Sequence, residues 1–507
     1  MPPVPIAPGR SGPPQGWPLH GVAASRRLEA AAAQGLPAHT LMRRAGWAVA
    51  RLALALAPAA HRVWVAAGPG NNGGDGLEAA MHLHAAGKDV TVTLLGATSR
   101  PPDAVAALER ARAAGIRVID GALPPWALQP QDLAIDALFG IGMSRPPGGA
   151  AGDAVRALNG AVAPVLAIDL PSGLDADHGW CLDPAAAVQA RWTLSLLTLK
   201  PGLFTAAGRD HAGEVWFDDL AVAADAEPPV AQLLTSVDGW WPRRRHAQHK
   251  GSFGDLWVIG GSAGMTGAAA LAARAALAAG AGRVYLVSHA GADPAQPELM
   301  QRSAAALTDH DELLEQATVV AGCGGGPDIA APLSTLIGRA GRLLLDADAL
   351  NALAADTALA ARLRARQRRG RPTLLTPHPL EAARLLGVAT ADIQADRIGA
   401  ARALAERLSA VVVLKGAGSV IADGAGHCMI NASGNAALAT AGAGDVLAGW
   451  IGGLWSQGLT VQRAAALGVF SHGAAADRWM ALHGRAAPLP AGRLIDGLAD
   501  DWGRHDT

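Results

Sequence analysis

The feature that most constrains the fold is a repeated alternation of short apolar runs, glycine-rich or polar turns, and helical patterns. The first unit is RVWVAA at 62–67, followed by GPGNNGGDG at 68–76 and a helix predicted to end at His84. Parallel strands need such crossover helices, and their strands read as nearly continuous apolar runs because both faces are covered. The alternation therefore predicts parallel sheets wound on both faces.

The alternation continues along the whole chain. In the first half it predicts strands at 62–67, 89–95, 117–119, 132–138, 164–170 and 214–218, the last at an edge, and helices within 24–57, 102–114 and 151–158. In the second half it predicts strands at 256–259, 283–288, 318–321, 343–346, 373–375 and 411–414. A chain of 507 residues is too long for one ordinary core. We predict two α/β domains, at 20–220 and 243–503, joined by a linker at 221–242.

Composition excludes several classes of protein. Net charge is −1 and only 17% of residues are charged, so we expect no nucleic-acid partner. The first 18 residues are proline-rich and lack the apolar core of a signal peptide, and no apolar run is long enough to span a membrane. The three cysteines, Cys181, Cys323 and Cys428, are far apart in sequence and favour neither a disulfide framework nor a zinc site. We expect a cytoplasmic homo-oligomer.

Three predicted strand ends in the first half carry oxygen ligands. Asn72 follows the first strand, Asp136 lies at the end of the fourth, and Ser172 follows the fifth. Amide, carboxylate and hydroxyl oxygens at one sheet edge suit a hard cation. Taken singly, each could be a polar residue that caps a loop. The spacing after Gly68 does not match the dinucleotide-binding fingerprint GxGxxG.

A second candidate site is the stretch NASGNAALATAGAGDVLAGWIGG at 431–453. Ala443 and Gly444 leave the backbone uncovered just before an apolar helical pattern. The free N–H groups of a helix N-terminus bind phosphate, and Asp445 beside them is placed to deprotonate an attacking hydroxyl. The alternative is a glycine-rich turn whose aspartate only caps the helix.

The motifs of the first half resemble the epimerase domain that interconverts the two C6 epimers of hydrated NAD(P)H. GPGNNGGDG at 68–76, DALFGIG at 136–142 and DLPSGLDAD at 169–177 carry the resemblance over about 20–220. It implies a Rossmann-like sheet, potassium at Asn72, Asp136 and Ser172, and Asp169 as the acid/base group. Lys200 would bind substrate or assist proton transfer, unless it is a solvated turn lysine. The implied substrate contacts are Asn71, Asn72, Gly73, Gly74, Asp75, Gly140, Ile141, Gly142, Met143, Ser144, Arg145, Pro146 and Lys200.

The second half resembles the ribokinase-like NAD(P)H-hydrate dehydratases, on the run ending in Gly-Ala-Gly-Asp445 and on the motifs between 245 and 500. The resemblance implies dehydration of the S epimer with ADP or ATP and Mg²⁺, ADP being favoured, and Asp445 as the catalytic base. The implied nucleotide contacts are Lys415, Gly416, Ala417, Gly418, Ser419 and Gly444, and the implied substrate contacts are Ala268, Gly324, His378 and Asp445.

The second half also departs from the family pattern. Ala443 stands where threonine is common, and Cys323 and Gly325 depart from Gly-Pro-Gly-Leu-Gly. We expect the phosphate cradle to survive the first change, because the loss is one hydroxyl and no backbone donor. His378 alone could equally be a helix-capping histidine.

Two other functions fit parts of the pattern. The first is a vitamin or sugar kinase with a non-catalytic N-terminal binding module, which would release a stable phosphorylated product. The sequence Thr376-Pro-His378 argues against it, because it resembles the dehydratase branch. The second is an N-terminal scaffold, which would have no need of an ion site beside Asp169.

Overall fold

The chain forms two compact units. The computed structural model describes residues 2–503 except 11, 14–15, 97–98, 122–123, 125, 144, 182, 292–295, 310 and 485–486. The first unit comprises Met1–Ala7 and Trp17–Gln232, and the second comprises Pro8–Gly16 and Leu233–Thr507.

Helices and strands alternate through the first unit as the sequence predicts. Its strands are Val4–Ile6 (β1), Trp17–Leu19 (β2), Arg62–Ala67 (β3), Asp89–Leu94 (β4), Arg117–Asp120 (β5), Leu133–Ala137 (β6), Val165–Ile168 (β7), Trp192–Leu196 (β8) and Glu214–Asp218 (β9). Its helices are Val22–Gln34 (α1), Thr40–Leu56 (α2), Asn71–Ala85 (α3), Pro102–Ala113 (α4), Ala150–Asn159 (α5) and Gly208–His211 (α6).

The first sheet has the strand order β1-β9-β8-β7-β6-β3-β4-β5 and is parallel except for β1. The chain leaves β3 in one direction through β4 and β5, then crosses back to β6 on the other side of β3. The carboxyl ends of β3 and β6 therefore border the crevice at which such sheets bind ligands. The predicted edge position of 214–218 is wrong, because β1 pairs antiparallel with the outer side of β9.

Both faces of the first sheet are buried, as the apolar runs predict. On β3, Val63, Val65 and Ala67 pack into one hydrophobic cluster. Trp64 and Ala66 pack into a second cluster, with α5. Successive side chains of a strand point to opposite faces, so one six-residue run contributes to both cores.

The glycine-rich segment after β3 differs from its predicted loop form. Helix α3 begins at Asn71, so the NNGGD residues form its first turns and only 68–70 connect it to the strand. Gly73 and Gly74 are buried against the Gly68 backbone and the Met42 side chain. The site residues of this motif are therefore carried by a helix.

The second unit continues the alternation. Its strands are Ala231–Leu234 (β10, which begins at the unit boundary), Asp255–Gly260 (β11), Arg283–Ser288 (β12), Met300–Gln301 (β13), Thr318–Ala321 (β14), Arg342–Leu345 (β15), Thr373–Leu375 (β16), Val411–Leu414 (β17), Val420–Ala422 (β18) and Cys428–Asn431 (β19). Its helices are Thr266–Ala278 (α7), Ala306–Asp309 (α8), Asp311–Gln316 (α9), Ala330–Arg339 (α10), Ala347–Ala355 (α11), Thr357–Arg368 (α12), Pro379–Leu386 (α13), Thr390–Ala395 (α14), Arg397–Leu408 (α15), Ala443–Ser456 (α16), Val461–His483 (α17) and Ala491–Ala499 (α18).

The second sheet contains, in order, β13-β12-β11-β14-β15-β16-β17-β18-β19-β10. The strands from β13 to β17 are parallel, which confirms the predicted class of fold. Beyond these predicted strands the sheet continues with β18 and β19, which are antiparallel and which the sequence does not predict. The chain leaves β11 towards β12 and returns to β14, so the ligand crevice of this sheet lies beyond β11 and β14.

Helix α16 packs on α7 with almost no side chain between the two backbones. A Cβ atom at Gly449 would lie 1.9 Å from the carbonyl oxygen of Ala272, and one at Gly453 would lie 2.5 Å from that of Ala276. Only glycine permits this approach. Asp445 is in the first turn of α16 and Ala268 is in the first turn of α7, so this contact fixes two predicted site residues relative to each other.

The predicted linker at 221–242 contains β10, which the sequence analysis did not identify.

Within the described residues, no helix is both long enough and apolar enough to span a bilayer.

Candidate active sites

A cavity of about 440 Å³ opens at the carboxyl edge of the first sheet. Nine of the predicted residues line it, from the start of α3 and from the segments after β6, β7 and β8. They are Asn71, Asn72, Asp75, Gly140, Ile141, Gly142, Met143, Asp169 and Lys200. Residues that lie far apart in sequence thus surround one ligand-sized space.

Four other predicted contacts of this half do not line the cavity. Gly73 and Gly74 are buried in α3, where they let the helix approach its neighbours. Arg145 and Pro146 are exposed and do not line the cavity. Ser144 lies outside the described residues.

Asp169 and Lys200 form a buried ion pair in the cavity wall. Asp169 follows β7 with a left-handed backbone (φ 70°), an unusual conformation for a residue other than glycine. The Lys200 ammonium donates to the Asp169 carboxylate and to the carbonyl oxygen of Leu196, 2.7 Å away. Lys200 is only 2% exposed, so the alternative of a solvated turn lysine is wrong.

Asp75 lines the same cavity, and its pKa differs from that of an ordinary aspartate. Burial, reinforced by the negative charges of Asp169 and Glu29, raises the pKa of Asp75 well above its usual range. The cavity therefore places two carboxyl groups close together, one with a raised pKa and one paired with the Lys200 ammonium. Two carboxyl groups in such different surroundings suit acid/base chemistry.

The three predicted cation ligands lie at the ends of adjacent strands. Asp136 is fully buried and accepts hydrogen bonds from the Ser172 hydroxyl at 2.7 Å and from the Ser172 N–H at 2.8 Å. Burial raises the pKa of Asp136 to about 6, although these bonds oppose the shift. Asn72 is 8% exposed, and neither atom of its amide has a hydrogen-bond partner in the described structure.

These three side chains fit a bound cation. A buried amide without partners is costly, and a buried carboxylate needs a positive charge. No ion pair to Asp136 is found in the part of the chain that the structure describes. A hard cation held by the oxygens of Asn72, Asp136 and Ser172 would satisfy both groups.

The second site lies beyond the carboxyl ends of β14, β15, β16 and β17, beside the start of α16. Gly442 is left-handed (φ 88°) and turns the chain into the helix. In the described residues, the N–H groups of Gly444 and Asp445 donate no hydrogen bond, as expected at a helix N-terminus. The Lys415 ammonium lies 3.5 Å from the position that a Cβ atom of Gly444 would occupy. Two backbone donors and one cation therefore form an anion site.

Asp346 anchors Lys415 in this site. The ammonium donates to Asp346 Oδ1 at 2.6 Å, and the Thr376 hydroxyl donates to the same oxygen at 2.7 Å. Burial alone would lower the pKa of Lys415, but the carboxylates of Asp346 and Glu381 outweigh it and raise the pKa. Lys415 therefore stays cationic at neutral pH.

Asp445 is partly exposed to the same space. Burial, and then the charge of Asp346, raises the pKa of Asp445 to about 6, while a hydrogen bond from Cys323 opposes the shift. A carboxylate with this pKa is still ionised at neutral pH and is a stronger base than an ordinary aspartate. The geometry agrees with the base role better than with simple capping, since no side-chain cap bond is made at this helix N-terminus.

The other predicted contacts of this half surround Asp445 and Lys415. Gly324 has φ 56°, and a Cβ atom there would lie 2.8 Å from that of Ala268, so the two predicted contacts adjoin. Gly416 and Ala417 are exposed, Ser419 is half-buried, and Gly418 is buried. The buried Arg397 guanidinium supports this loop from below, donating to the carbonyl oxygen of Lys415 at 3.2 Å.

His378 is the N-cap of α13. Its Nδ1 accepts hydrogen bonds from the N–H groups of Leu380 at 3.1 Å and Glu381 at 3.3 Å. Burial and the nearby Lys415 charge lower the pKa of His378. His378 therefore caps the helix through Nδ1, as the alternative reading expects. A substrate contact would have to use the exposed part of the ring.

His472 is a buried support of the anion site that the sequence analysis missed. Its Nε2 lies 3.0 Å from the carbonyl oxygen of Ala443, and burial lowers the pKa of His472 to about 4. The ring is therefore neutral at pH 7, and Nε2 must be the donor because a carbonyl only accepts. This bond orients the first turn of α16.

We expect His472→Ala to raise the KM for the nucleotide about tenfold and to lower the free energy of unfolding by about 2 kcal/mol, because a buried carbonyl loses its donor and a cavity forms. Steady-state kinetics and thermal unfolding measure the two effects. His472→Gln, which keeps a donor, should recover part of the KM. His483→Ala, on an exposed ring of the same helix, is the control and should change neither quantity.

Sequence reasoning missed Asp346 and Cys323 as members of the second site. Asp346 directly follows β15, so a polar residue at the end of a predicted strand was the signal that could have identified it. The sequence identified Cys323 only as a departure from the Gly-Pro-Gly-Leu-Gly pattern of the family.

Comparison with known proteins covers both halves of the chain. The family model described as NAD(P)H-hydrate dehydratase matches residues 256–496. The model described as YjeF-related protein N-terminus matches residues 38–202. Together they include most of the residues that form the two sites.

Full-length relatives have the same two halves. A bifunctional NAD(P)H-hydrate repair enzyme of Escherichia coli is 36% identical, over 89% of this chain and 87% of the relative. One of Moorella thermoacetica is 38% identical, over 86% of this chain and 87% of the relative. A crystal structure of the ADP/ATP-dependent NAD(P)H-hydrate dehydratase of Bacillus subtilis, co-crystallised with ATP/Mg²⁺, is 30% identical, covers 52% of this chain and 95% of that chain, and has a TM-score of 0.42.

The two bifunctional relatives align with this chain over both predicted sites, so the comparisons do not support a vitamin or sugar kinase with a non-catalytic N-terminal binding module. The chain belongs to the family of bifunctional NAD(P)H-hydrate repair enzymes.

Proposed function

We propose that this chain repairs hydrated NADH and NADPH through two activities. The first unit epimerises the hydrate at C6, and the second dehydrates the S epimer at the expense of ADP or ATP. The observation that carries the proposal is the position of Asp445, a partly exposed carboxylate with a raised pKa beside two free backbone N–H groups and the Lys415 ammonium. We assign the two activities to domains at 20–220 and 243–503.

The dehydration requires a hydroxyl to be made into a leaving group. Asp445 takes the proton of the C6 hydroxyl, and the oxygen attacks the terminal phosphorus of the nucleotide, whose bond to the bridging oxygen breaks. The N–H groups of Gly444 and Asp445 and the ammonium of Lys415 stabilise the charge that develops on the phosphoryl oxygens. Each such donor contributes about 3 kcal/mol. The C6–O bond of the ester then breaks and phosphate leaves with the bonding electrons. The C5 proton passes to water, and the C5–H electrons restore the double bond.

The nucleotide is proposed to lie along Lys415–Ser419 and Gly444, and the hydrate against Ala268, Gly324 and His378. Mg²⁺ bound to the nucleotide would neutralise part of the phosphate charge. Two polar side chains that could assist Mg²⁺ through water, Asn351 and Glu381, are engaged elsewhere: Asn351 Oδ1 accepts from Arg384 at 2.7 Å, and Glu381 accepts from the His378 N–H at 2.8 Å. We therefore assign the phosphates themselves as the principal Mg²⁺ ligands.

In the first unit, Asp169 is proposed as the acid/base group that faces the inverting C6 carbon. Lys200 holds the Asp169 carboxylate in place through their ion pair. The start of α3 and the segment after β6, including Gly140–Met143, are proposed to hold the nicotinamide hydrate in the cavity. Asp75, whose pKa is raised, is proposed as a further substrate contact.

We propose potassium as the cation bound by Asn72, Asp136 and Ser172. A potassium ion there would order the first turn of α3, which carries Asn72, against the neighbouring strand ends. Replacing potassium by lithium is expected to lower the epimerase rate at least about tenfold, because the smaller ion cannot be reached by three fixed oxygens. Asn72→Ala should lower the rate and remove its dependence on potassium. Dehydration of the S epimer by the same protein is the control and should not change; equal rates in both salts would contradict the assignment.

The proposal is tested by the absorbance of the dihydronicotinamide ring. Purified chain, a mixture of both epimers of hydrated NADH, ADP or ATP, Mg²⁺ and K⁺ should restore the full absorbance of NADH. Chromatography should show one phosphate released per NADH formed. Accumulation of a stable phosphorylated hydrate, or no recovery with either nucleotide, would refute the proposed function.

A further inference from the structure

A thiol lies within the second site, beside the carboxylate proposed as the base. Cys323 follows β14, is fully buried, and is a free cysteine. One ligand atom from each of Cys323, Asp346 and Asp445 lies within 4.8 Å of the other two. Neither the proposed reaction nor the predicted substrate contacts give this thiol a role.

The bonding of Asp346 leaves one of its oxygens facing that thiol. Lys415 and Thr376 both donate to Oδ1. Oδ2 lies 4.0 Å from the Cys323 sulfur, and among the described residues this sulfur is its hydrogen-bond partner. The Lys415 ammonium therefore does not block the side of Asp346 that faces Cys323.

The three atoms nearly match the geometry of a tetrahedral metal. Zinc bonds of about 2.3 Å to sulfur and 2.0 Å to oxygen separate the two ligands by about 3.5 Å. The separations here are at most 4.8 Å, so they exceed this value by no more than about 1.3 Å, and side-chain rotations can close that gap. Asp445 is partly exposed, so a fourth ligand can come from solvent.

Charge also favours a divalent cation at this point. Two carboxylates and a thiolate carry three negative charges, and Lys415 compensates one of them. A cysteine binds a metal as the thiolate, so binding would release the Cys323 proton to solvent. Magnesium prefers six oxygen ligands and is a poor match for sulfur.

We propose that Cys323, Asp346 and Asp445 form a binding site for a thiophilic divalent cation, zinc or cadmium, and that its occupancy inhibits dehydration. The cation takes the lone pairs of Asp445 that would otherwise accept the hydroxyl proton. The inhibition rests on the proposed function of the second unit, whereas the binding does not. The epimerase site contains no such cluster among the described residues and would remain active.

The binding is tested with cadmium on the full-length, chelator-treated protein. We expect one equivalent of Cd²⁺ to produce the ultraviolet thiolate-to-cadmium charge-transfer band, with release of about one proton, in the presence of excess Mg²⁺. Cys323→Ala and Cys323→Ser should abolish the band. Cys428→Ala, at another buried thiol, should retain it. Absence of the band in the parent protein, or its persistence in both Cys323 variants, would overturn the proposal.

The inhibition is tested separately with zinc. Micromolar Zn²⁺ should lower dehydration of the S epimer at least about tenfold in the parent protein and leave epimerisation unchanged, and Cys323→Ser should be less sensitive by a similar factor. Equal sensitivity of parent and variant would refute the inhibitory role. A parent protein with no dehydratase activity but with a normal cadmium titration would refute the proposed function and leave the metal site standing.

Discussion

Replacing Asp445 by asparagine is expected to lower kcat for dehydration about 10³-fold while epimerisation continues at the parental rate. The amide keeps the size of the carboxylate and cannot accept the hydroxyl proton, and a positioned general base contributes about 10²- to 10⁴-fold. The measurement is single-turnover recovery of NADH absorbance with pure S epimer. The free energy of unfolding should not fall, because burial and Asp346 already disfavour the ionised form of Asp445.

The pH dependence of the parent protein gives an independent check. Because the pKa of Asp445 is about 6, its base form predominates above pH 6 and is lost as pH falls through that value. We expect kcat to fall to about one-tenth of its plateau at pH 5. Asp496→Asn, an exposed carboxylate on α18, is the matched control and should keep both the rate and the profile. A pH-independent rate between 5 and 8 would contradict the role of Asp445.

Replacing Asp169 by asparagine is expected to lower the epimerase rate about 10³-fold and to leave dehydration of the S epimer intact. With a mixture of epimers, NADH recovery should then stop when the S epimer is consumed, apart from slow spontaneous conversion. The asparagine can still accept a hydrogen bond from Lys200, so the cavity wall is retained. Chiral separation of the remaining hydrate measures the effect.

The matched control for this substitution is Asp153→Asn, an exposed carboxylate of the same unit that is paired with Arg156. It should consume both epimers at the parental rate. Complete consumption of both epimers by Asp169→Asn, at the speed of the control, would remove Asp169 from the mechanism.

Much of the fold could be predicted because parallel strands are apolar on both faces. The run at 62–67 gives β3 with the predicted ends, and the polar residues after β3, β6 and β7 are found at one sheet edge. Short edge strands were not predicted. The three residues of β1 have too few apolar positions to form a pattern, and their pairing with β9 is decided by contacts more than 200 residues away.

The candidate sites, like the fold, could be predicted only in part. Asp445 and Lys415 could be identified because each follows a strand or glycine-rich turn in a local motif. Their mutual geometry could not, because it depends on Asp346, which holds the ammonium, and on His472, which holds the Ala443 carbonyl from another helix. Burial also decides between roles that the sequence cannot separate. The sequence allows Lys200 to be a solvated turn lysine, but the structure buries it in an ion pair with Asp169.

The contact between Gly449 of α16 and the Ala272 carbonyl of α7 has a consequence for redesign of the enzyme. Any larger residue at this position would push apart the helices that carry Asp445 and Ala268, so selection for new substrates cannot enlarge the pocket there without also misplacing the base. Variation that accepts other damaged cofactors would instead have to come from side chains outside the contact between these two helices.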